Sequence, residues 1–136
     1  MAGGTEFFEL ETTAPQQSFD ITERVQKIVA QSGLQHGQCQ VMVLHSTCAV
    51  VVNETADPNI GQDVIDGFEA IFPTQNDWLH DRKDDNAHAH VKASALGPSE
   101  VIPIHEGALL LGTWQAIWLF EFDGPRRRRV AVHLLG

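Results

Sequence analysis

Basic residues are scarce: nine Lys and Arg stand against eighteen Asp and Glu, for a formal net charge of −9. An acidic surface repels nucleic acid and anionic membrane, so neither is expected as a partner. No apolar run approaches the roughly 18 residues that a membrane span requires, and MAGGTEFFEL lacks both the basic start and the apolar core of a signal peptide. These absences read as a soluble cytoplasmic protein. Cysteine is nearly missing, and the two present, Cys39 and Cys48, match no metal motif, so reduced core thiols are expected. There is no internal repeat, no low-complexity tract and no long linker. The 136 residues, 43% of them apolar, therefore read as one domain over 1–136 with a sizeable core.

What is present alternates between strand and helix signals. TEFFELETT (5–13) is rich in Phe and Thr between Gly-Gly and Ala-Pro, and reads as a first strand. Ser18 and Phe19 lead into a helix that Asp20 caps, with Glu23 completing a capping box, Ile21, Val25, Ile28 and Val29 as its apolar stripe, and Gly33 after its end. QCQVMVLHSTCAVVVNE (38–54) is β-branched and apolar but broken by His45, Ser46 and Thr47. It reads as two strands, or one strongly bent strand, with that cluster at the joint. Asp57-Pro58 starts a second helix with a stripe of Ile60, Val64, Phe68, Ile71 and Phe72, and Pro73 stops it. A polar loop over 74–85 carries Trp78 and His80, and a third helix runs from Asn86 to Gly97. The last third reads as an antiparallel meander: SEVIPIH and ALLL about Glu106-Gly107, then GTWQAIWLFEFD, then RRRRVAVHLL after Asp123-Gly124-Pro125. Strands with helices inserted between the earlier ones indicate an α+β domain.

The stretch HDRKDDNAHAHVKASALG (80–97) concentrates the groups able to bind a metal or move a proton. His45, His80 and His90 come from three separate segments, as the ligands of a catalytic zinc-like ion usually do. No close-spaced pattern such as HExxH supports them, and solvated or hydrogen-bonded histidines are the competing reading. On a helix His88 and His90 diverge and His90 aligns with Ser94, so at most one of the pair is expected as a ligand. His36 and His105 read as surface residues, and His133 as packed on the last strand. Asp84 and Asp85 can hold magnesium, particularly with a shared substrate phosphate, or simply form a solvated turn that caps the next helix. The arginine run alternates, so Arg126 and Arg128 face one way and Arg127 and Arg129 the other. One pair can bind phosphate or carboxylate in a site, and an exposed edge is the plainer reading. Trp114 and Gln115 suit a flat heteroaromatic ligand, or belong to a core strand. Glu121 on that strand needs a partner, which the arginines across the turn supply. Glu54, just before the second helix, would be held ionised by the positive end of the helix dipole.

HSTCAVVVNETADP, HDRKDDNAHAHVKASALG and LGTWQAIWLFEFDGPRRRR, in that order and spacing, closely resemble the YjbQ-type family, catalogued as secondary thiamine-phosphate synthases and long treated as uncharacterised. The resemblance runs from about Phe7 to Leu134. It implies a small α+β fold with a mixed, largely antiparallel, sandwich-like sheet and two to three helices. It also implies a homotrimer with clefts between subunits, and a histidine-lined cleft that often holds a metal ion. The matching positions are His45, Asn53, Glu54, His80, Asp85, His90, Ser94, Trp114, Gln115, Glu121 and Arg126. Many relatives have Thr-Ser-Ala after the first histidine, where this chain has Ser46-Thr47-Cys48.

The expectation is thus a metal-dependent cytoplasmic enzyme that joins a phosphorylated thiazole to a pyrimidine diphosphate with release of pyrophosphate, possible as a side activity. A divalent ion, zinc first and magnesium with a diphosphate substrate, would sit on His45, His80 and His90. Glu54, Asp85 and Arg126 would act in catalysis, and Asn53, Ser94, Trp114, Gln115 and Arg128 would bind a small-molecule substrate. A metal-assisted hydrolase and a non-catalytic trimer that binds a metal or small ligand are the alternatives.

Overall fold

The computed structural model describes residues 3–55 and 57–136. Its elements are β1 (Gly3–Glu11), β2 (Gln17–Asp20), α1 (Thr22–Ser32), β3 (His36–Val43), β4 (Cys48–Glu54), α2 (Ile60–Ile71), a 3₁₀ turn (Leu79–Arg82), α3 (Ala87–Leu96), β5 (Ser99–His105), β6 (Ala108–Leu109), β7 (Gln115–Glu121) and β8 (Arg127–Leu135). The fold is α+β. One sheet runs β1-β8-β3-β5-β6 and a second runs β2-β7-β4, and every described pairing is antiparallel.

The two sheets face each other across the main core, where Val41 and Val132 of the larger sheet meet Val50, Ile117 and Leu119 of the smaller, with Val25 and Val29 of α1. The other face of the small sheet is covered as well. Ala49, Trp118, Phe120 and Phe122 pack there against Ile65 of α2 and Ala89 of α3. A strand covered on both faces needs no polar alternation, which is why AIWLF (116–120) reads as a continuous apolar run.

Several local expectations are corrected. Asp20 accepts from the Thr22 backbone N–H at 3.0 Å and its hydroxyl at 2.6 Å, but the N-cap position belongs to Ile21 and no capping box forms. The residues before α1 are not a lead-in but the edge strand β2. α2 begins at Ile60, two residues past Pro58, with Asp57 accepting from the Asn59 N–H at 2.9 Å; its buried residues are Gly61 and Ile65, while Ile71 is exposed. Gly61 is required by close approach, because a Cβ there would collide with the Ser18 side chain on β2. His133 is exposed rather than packed, and its Nδ1 lies 2.8 Å from the Thr5 hydroxyl.

The largest correction concerns the end of the chain. β7 and β8 are not hairpin partners: Asp123-Gly124-Pro125 carries the chain from one sheet to the other. Gly124 makes the corner possible, since its N–H donates to the Pro15 carbonyl at 3.0 Å and a Cβ would strike the Ala14 carbonyl. The corner brings the arginine run beside the joint between β3 and β4.

Candidate functional site

Under that corner the fold places a buried charged group on which the surrounding loops depend. Glu121 is fully buried, and its Oε1 accepts from Arg128 Nε at 2.7 Å and the Thr12 hydroxyl at 2.8 Å. Its Oε2 accepts from Arg128 Nη2, from the Asp123 N–H at 3.1 Å and from the Cys48 thiol at 3.4 Å. Burial would raise the Glu121 pKa, yet the guanidinium and the other donors hold it below the usual carboxylate range. Arg128 Nη2 also donates to the Thr47 hydroxyl at 2.8 Å. Arg128 is thus 3% exposed, with Nε and Nη2 bonded to Glu121 and Thr47, and it lines the floor of the cleft above. It braces the site from beneath, and its place in the cleft lining keeps it next to the position expected of it as a substrate ligand.

Above this pair lies an open cleft of about 720 Å³ between the β3–β4 joint, the start of α3 and the corner. His45, Asp84, Asn86, His90, Asp123 and Arg126 all line it. The Arg129 backbone N–H donates to His45 Nε2 at 2.9 Å, so the neutral ring carries its proton on Nδ1. Burial lowers the His45 pKa, as do the charges of Arg128 and Arg126, against an opposing effect of Glu121. His45 is therefore a neutral N–H donor beside a cationic wall. Arg126 is half-exposed and held by Asp123, through Nε to the carbonyl at 2.9 Å and Nη2 to the carboxylate at 3.1 Å. Asn86 donates to the same carboxylate at 2.9 Å.

The histidines divide into a pair and a single. The rings of His80 and His90 are 5.0 Å apart and nearly perpendicular. With metal–nitrogen bonds of about 2.0–2.1 Å, two imidazoles sharing a tetrahedral ion have centroids roughly 5 Å apart, a spacing that an edge-to-face contact between the rings gives as well. Asp84 is within 3.8 Å of His80 Nε2. His45 fits less well, since its one acceptor nitrogen is already occupied by the Arg129 amide. Among the described residues no three His, Cys, Asp or Glu side chains are gathered closely enough to hold an ion.

Other expected residues lie elsewhere. Ser94, one turn beyond His90, donates to the His90 carbonyl at 2.8 Å and adjoins His45 in a smaller recess. Asp85 is exposed and off the cleft wall. Asn53, Glu54, Trp114 and Gln115 sit at the opposite end of β4 and β7. Cys48 pairs with Glu121 at the cleft end, whereas Glu54 pairs with Gln115 at the far end. Six residues of strand separate them by roughly 20 Å. Trp114 is 64% exposed and precedes the strand rather than filling a core.

Asn86 and Asp123 were not singled out by the sequence for chemistry. Both look like ordinary cap or turn residues, and only the corner between sheets brings them together. The network behind α3 was equally hidden. Lys92, fully buried, donates to Glu69 Oε1 at 2.6 Å, His88 Nδ1 at 2.7 Å and Gln16 Oε1 at 3.4 Å. His88 points away from His90, as a helix requires.

A family model described as UPF0047 protein YjbQ-like matches residues 6–136. The UPF0047 protein YugU of Bacillus subtilis is 33% identical over 128 residues, covering 94% of this chain and 96% of that protein. A UPF0047 protein of Archaeoglobus fulgidus is 41% identical over 126 residues, covering 93% and 97%. Among solved structures, a YbjQ-like protein of unknown function from Sulfolobus solfataricus superposes with a TM-score of 0.95 at 38% identity, covering 98% of this chain and 97% of that one. An uncharacterized conserved protein of the YjbQ/UPF0047 family from Clostridium acetobutylicum gives 0.91 at 41% identity, covering 96% and 99%. A small α+β fold of paired antiparallel sheets with a histidine- and arginine-lined cleft thus defines the class. The chain belongs to the YjbQ/UPF0047 family. No described helix is long and apolar enough to cross a membrane.

Proposed function

We propose that this chain is a cytoplasmic enzyme acting on a small phosphorylated substrate, with the thiamine-phosphate synthase reaction as its activity. A phosphorylated thiazole would be joined to a pyrimidine diphosphate and pyrophosphate released. The observation that carries this reading is the convergence of neutral His45, Arg126 and His90 on one cleft. A leaving diphosphate needs cationic groups and N–H donors to take up its developing charge, and Arg126 with His45 Nδ1–H would supply them. A divalent ion of the zinc type, or magnesium carried by the diphosphate with Asp84 at hand, would supply further charge neutralisation. His80 and His90 would hold the zinc-type ion, and His45 joins only by releasing the Arg129 N–H.

The aromatic wall for the rings is missing from the cleft of one chain, because Trp114 and Gln115 lie at the other end of the small sheet. A homotrimer with chains packed head to tail brings that corner, with Asn53 and Glu54, to a neighbour's cleft. Catalysis by Glu54 then belongs to the assembled site.

The test follows pyrophosphate release from the two substrates, beside elemental analysis of the purified protein. A kcat/KM that falls at least tenfold in Arg126→Ala through a raised KM, and a metal lost in His80→Ala/His90→Ala, supports the reading. Tight substrate binding without turnover would overturn it in favour of a binding protein. The His80–Asp84 approach favours a metal-assisted hydrolase as the second reading. On an uncharged substrate that enzyme would be little affected by Arg126→Ala.

A further inference from the structure

A second pair of histidines stands outside the cleft. His36 opens β3 and His105 closes β5, and the two are direct cross-strand partners. Side chains at paired positions of adjacent antiparallel strands lie on the same sheet face. Their rings are 5.3 Å apart at 64°, and both residues are exposed. That separation matches the roughly 5 Å expected of two imidazoles on one tetrahedral ion. The strands fix the spacing, so little ordering remains to oppose binding.

The adjoining turn places a carboxylate beside the pair. Glu106 and Gly107 both have positive φ, at 51° and 81°, as the two central residues of a type I′ hairpin turn do. Glycine and asparagine suit those positions; a glutamate is disfavoured in the left-handed region. Its carboxylate oxygen lies 3.7 Å from His105 Nε2, near the imidazole that would bind the ion. The net charge of −9 raises the local concentration of cations at any such site.

We propose that His36 and His105 form a two-imidazole surface site for a borderline transition-metal ion such as zinc, copper(II) or nickel, with the Glu106 carboxylate beside it. The two imidazoles chelate the ion, water fills the remaining positions, and the Glu106 carboxylate adds favourable charge close by. Bound there, the ion ties the start of β3 to the end of β5 and stabilises the β5–β6 edge of the large sheet, because it binds the folded chain in preference to the unfolded one. The site is separate from the cleft and does not depend on the reaction proposed there.

Zinc titration calorimetry on full-length, chelator-treated protein, in a His80→Ala/His90→Ala background that removes the cleft pair, tests it. One equivalent of zinc per chain is expected, with affinity at least tenfold lower after His36→Gln or His105→Gln. Glu106→Asn should raise the melting temperature of the metal-free protein while lowering zinc affinity several-fold, a combination that general destabilisation cannot produce. Copper(II) electron paramagnetic resonance on the same background should show coupling to two imidazole nitrogens, which is read without altering either histidine. An isotherm unchanged by both histidine substitutions, or copper spectra showing oxygen ligands alone, would overturn the proposal.

Discussion

At the scale of single residues, His45 and Arg128 show how burial assigns roles that residue type leaves open. His45 is kept neutral by burial first and by Arg128 and Arg126 second. Its imidazole should therefore titrate below the ordinary 6.5 in an NMR pH series, and the value should rise in Arg126→Gln. Because the folded-state value is depressed, the unfolded chain takes up the proton first. Any stability His45 contributes is present above about pH 6.5 and is lost as the pH falls through its folded value. Arg128 and Glu121 test a different property. Removing one member leaves a buried charge unpaired, so Arg128→Met or Glu121→Leu should cost about 3–5 kcal/mol in urea denaturation. The double variant Arg128→Met/Glu121→Leu should cost less than the sum of its single changes. Strict additivity would mean that the two side chains act independently, against the geometry.

At the scale of elements, what could be read depended on how local the cause was. The break of β3 from β4 at His45-Ser46-Thr47, the helix over the second histidine cluster and the Glu106-Gly107 turn follow from neighbouring residues. All three are present. β2 was not legible, because QSFD is too short and too polar to signal a strand, and is one only because β7 offers it an edge. The placing of β7 and β8 in different sheets depends on contacts of the corner with Thr12 and Pro15, more than a hundred residues away in sequence. The brace behind α3 is of the same kind, since Glu69 on α2 and Lys92 on α3 meet only in the fold. Burial would raise the Glu69 pKa, but bonds from Lys92 and Thr74 hold it down at about 2. The stabilisation it provides is complete above about 4.5 and disappears as the pH falls toward 2. The stability gap between wild type and Glu69→Gln, followed by chemical denaturation, should therefore close over that interval. A gap constant down to pH 2 would show that the carboxylate charge is not what the brace uses.

At the scale of the whole molecule, the residues matched by family resemblance fall at two ends of one strand pair. His45, His90 and Arg126 gather at the Cys48–Glu121 end, while Asn53, Glu54, Trp114 and Gln115 gather at the Glu54–Gln115 end. Strand length fixes the separation at roughly 20 Å, too far for one small substrate to touch both. A sequence lists these residues without saying whether one chain or two must bring them together. The proposed head-to-tail trimer makes a quantitative prediction here. Chains carrying Trp114→Ala keep a sound histidine end, and chains carrying His90→Ala keep a sound tryptophan end. Each homotrimer should be nearly inactive. Unfolded, mixed one to one and refolded together, the two should recover about a quarter of wild-type turnover, because a site is intact only where a sound histidine end meets a sound tryptophan end. Recovery requires that subunits exchange, which mass spectrometry of the mixed assemblies verifies. If mixed assemblies form and no activity returns, the two ends do not meet between chains, and Trp114 serves some purpose other than walling the cleft.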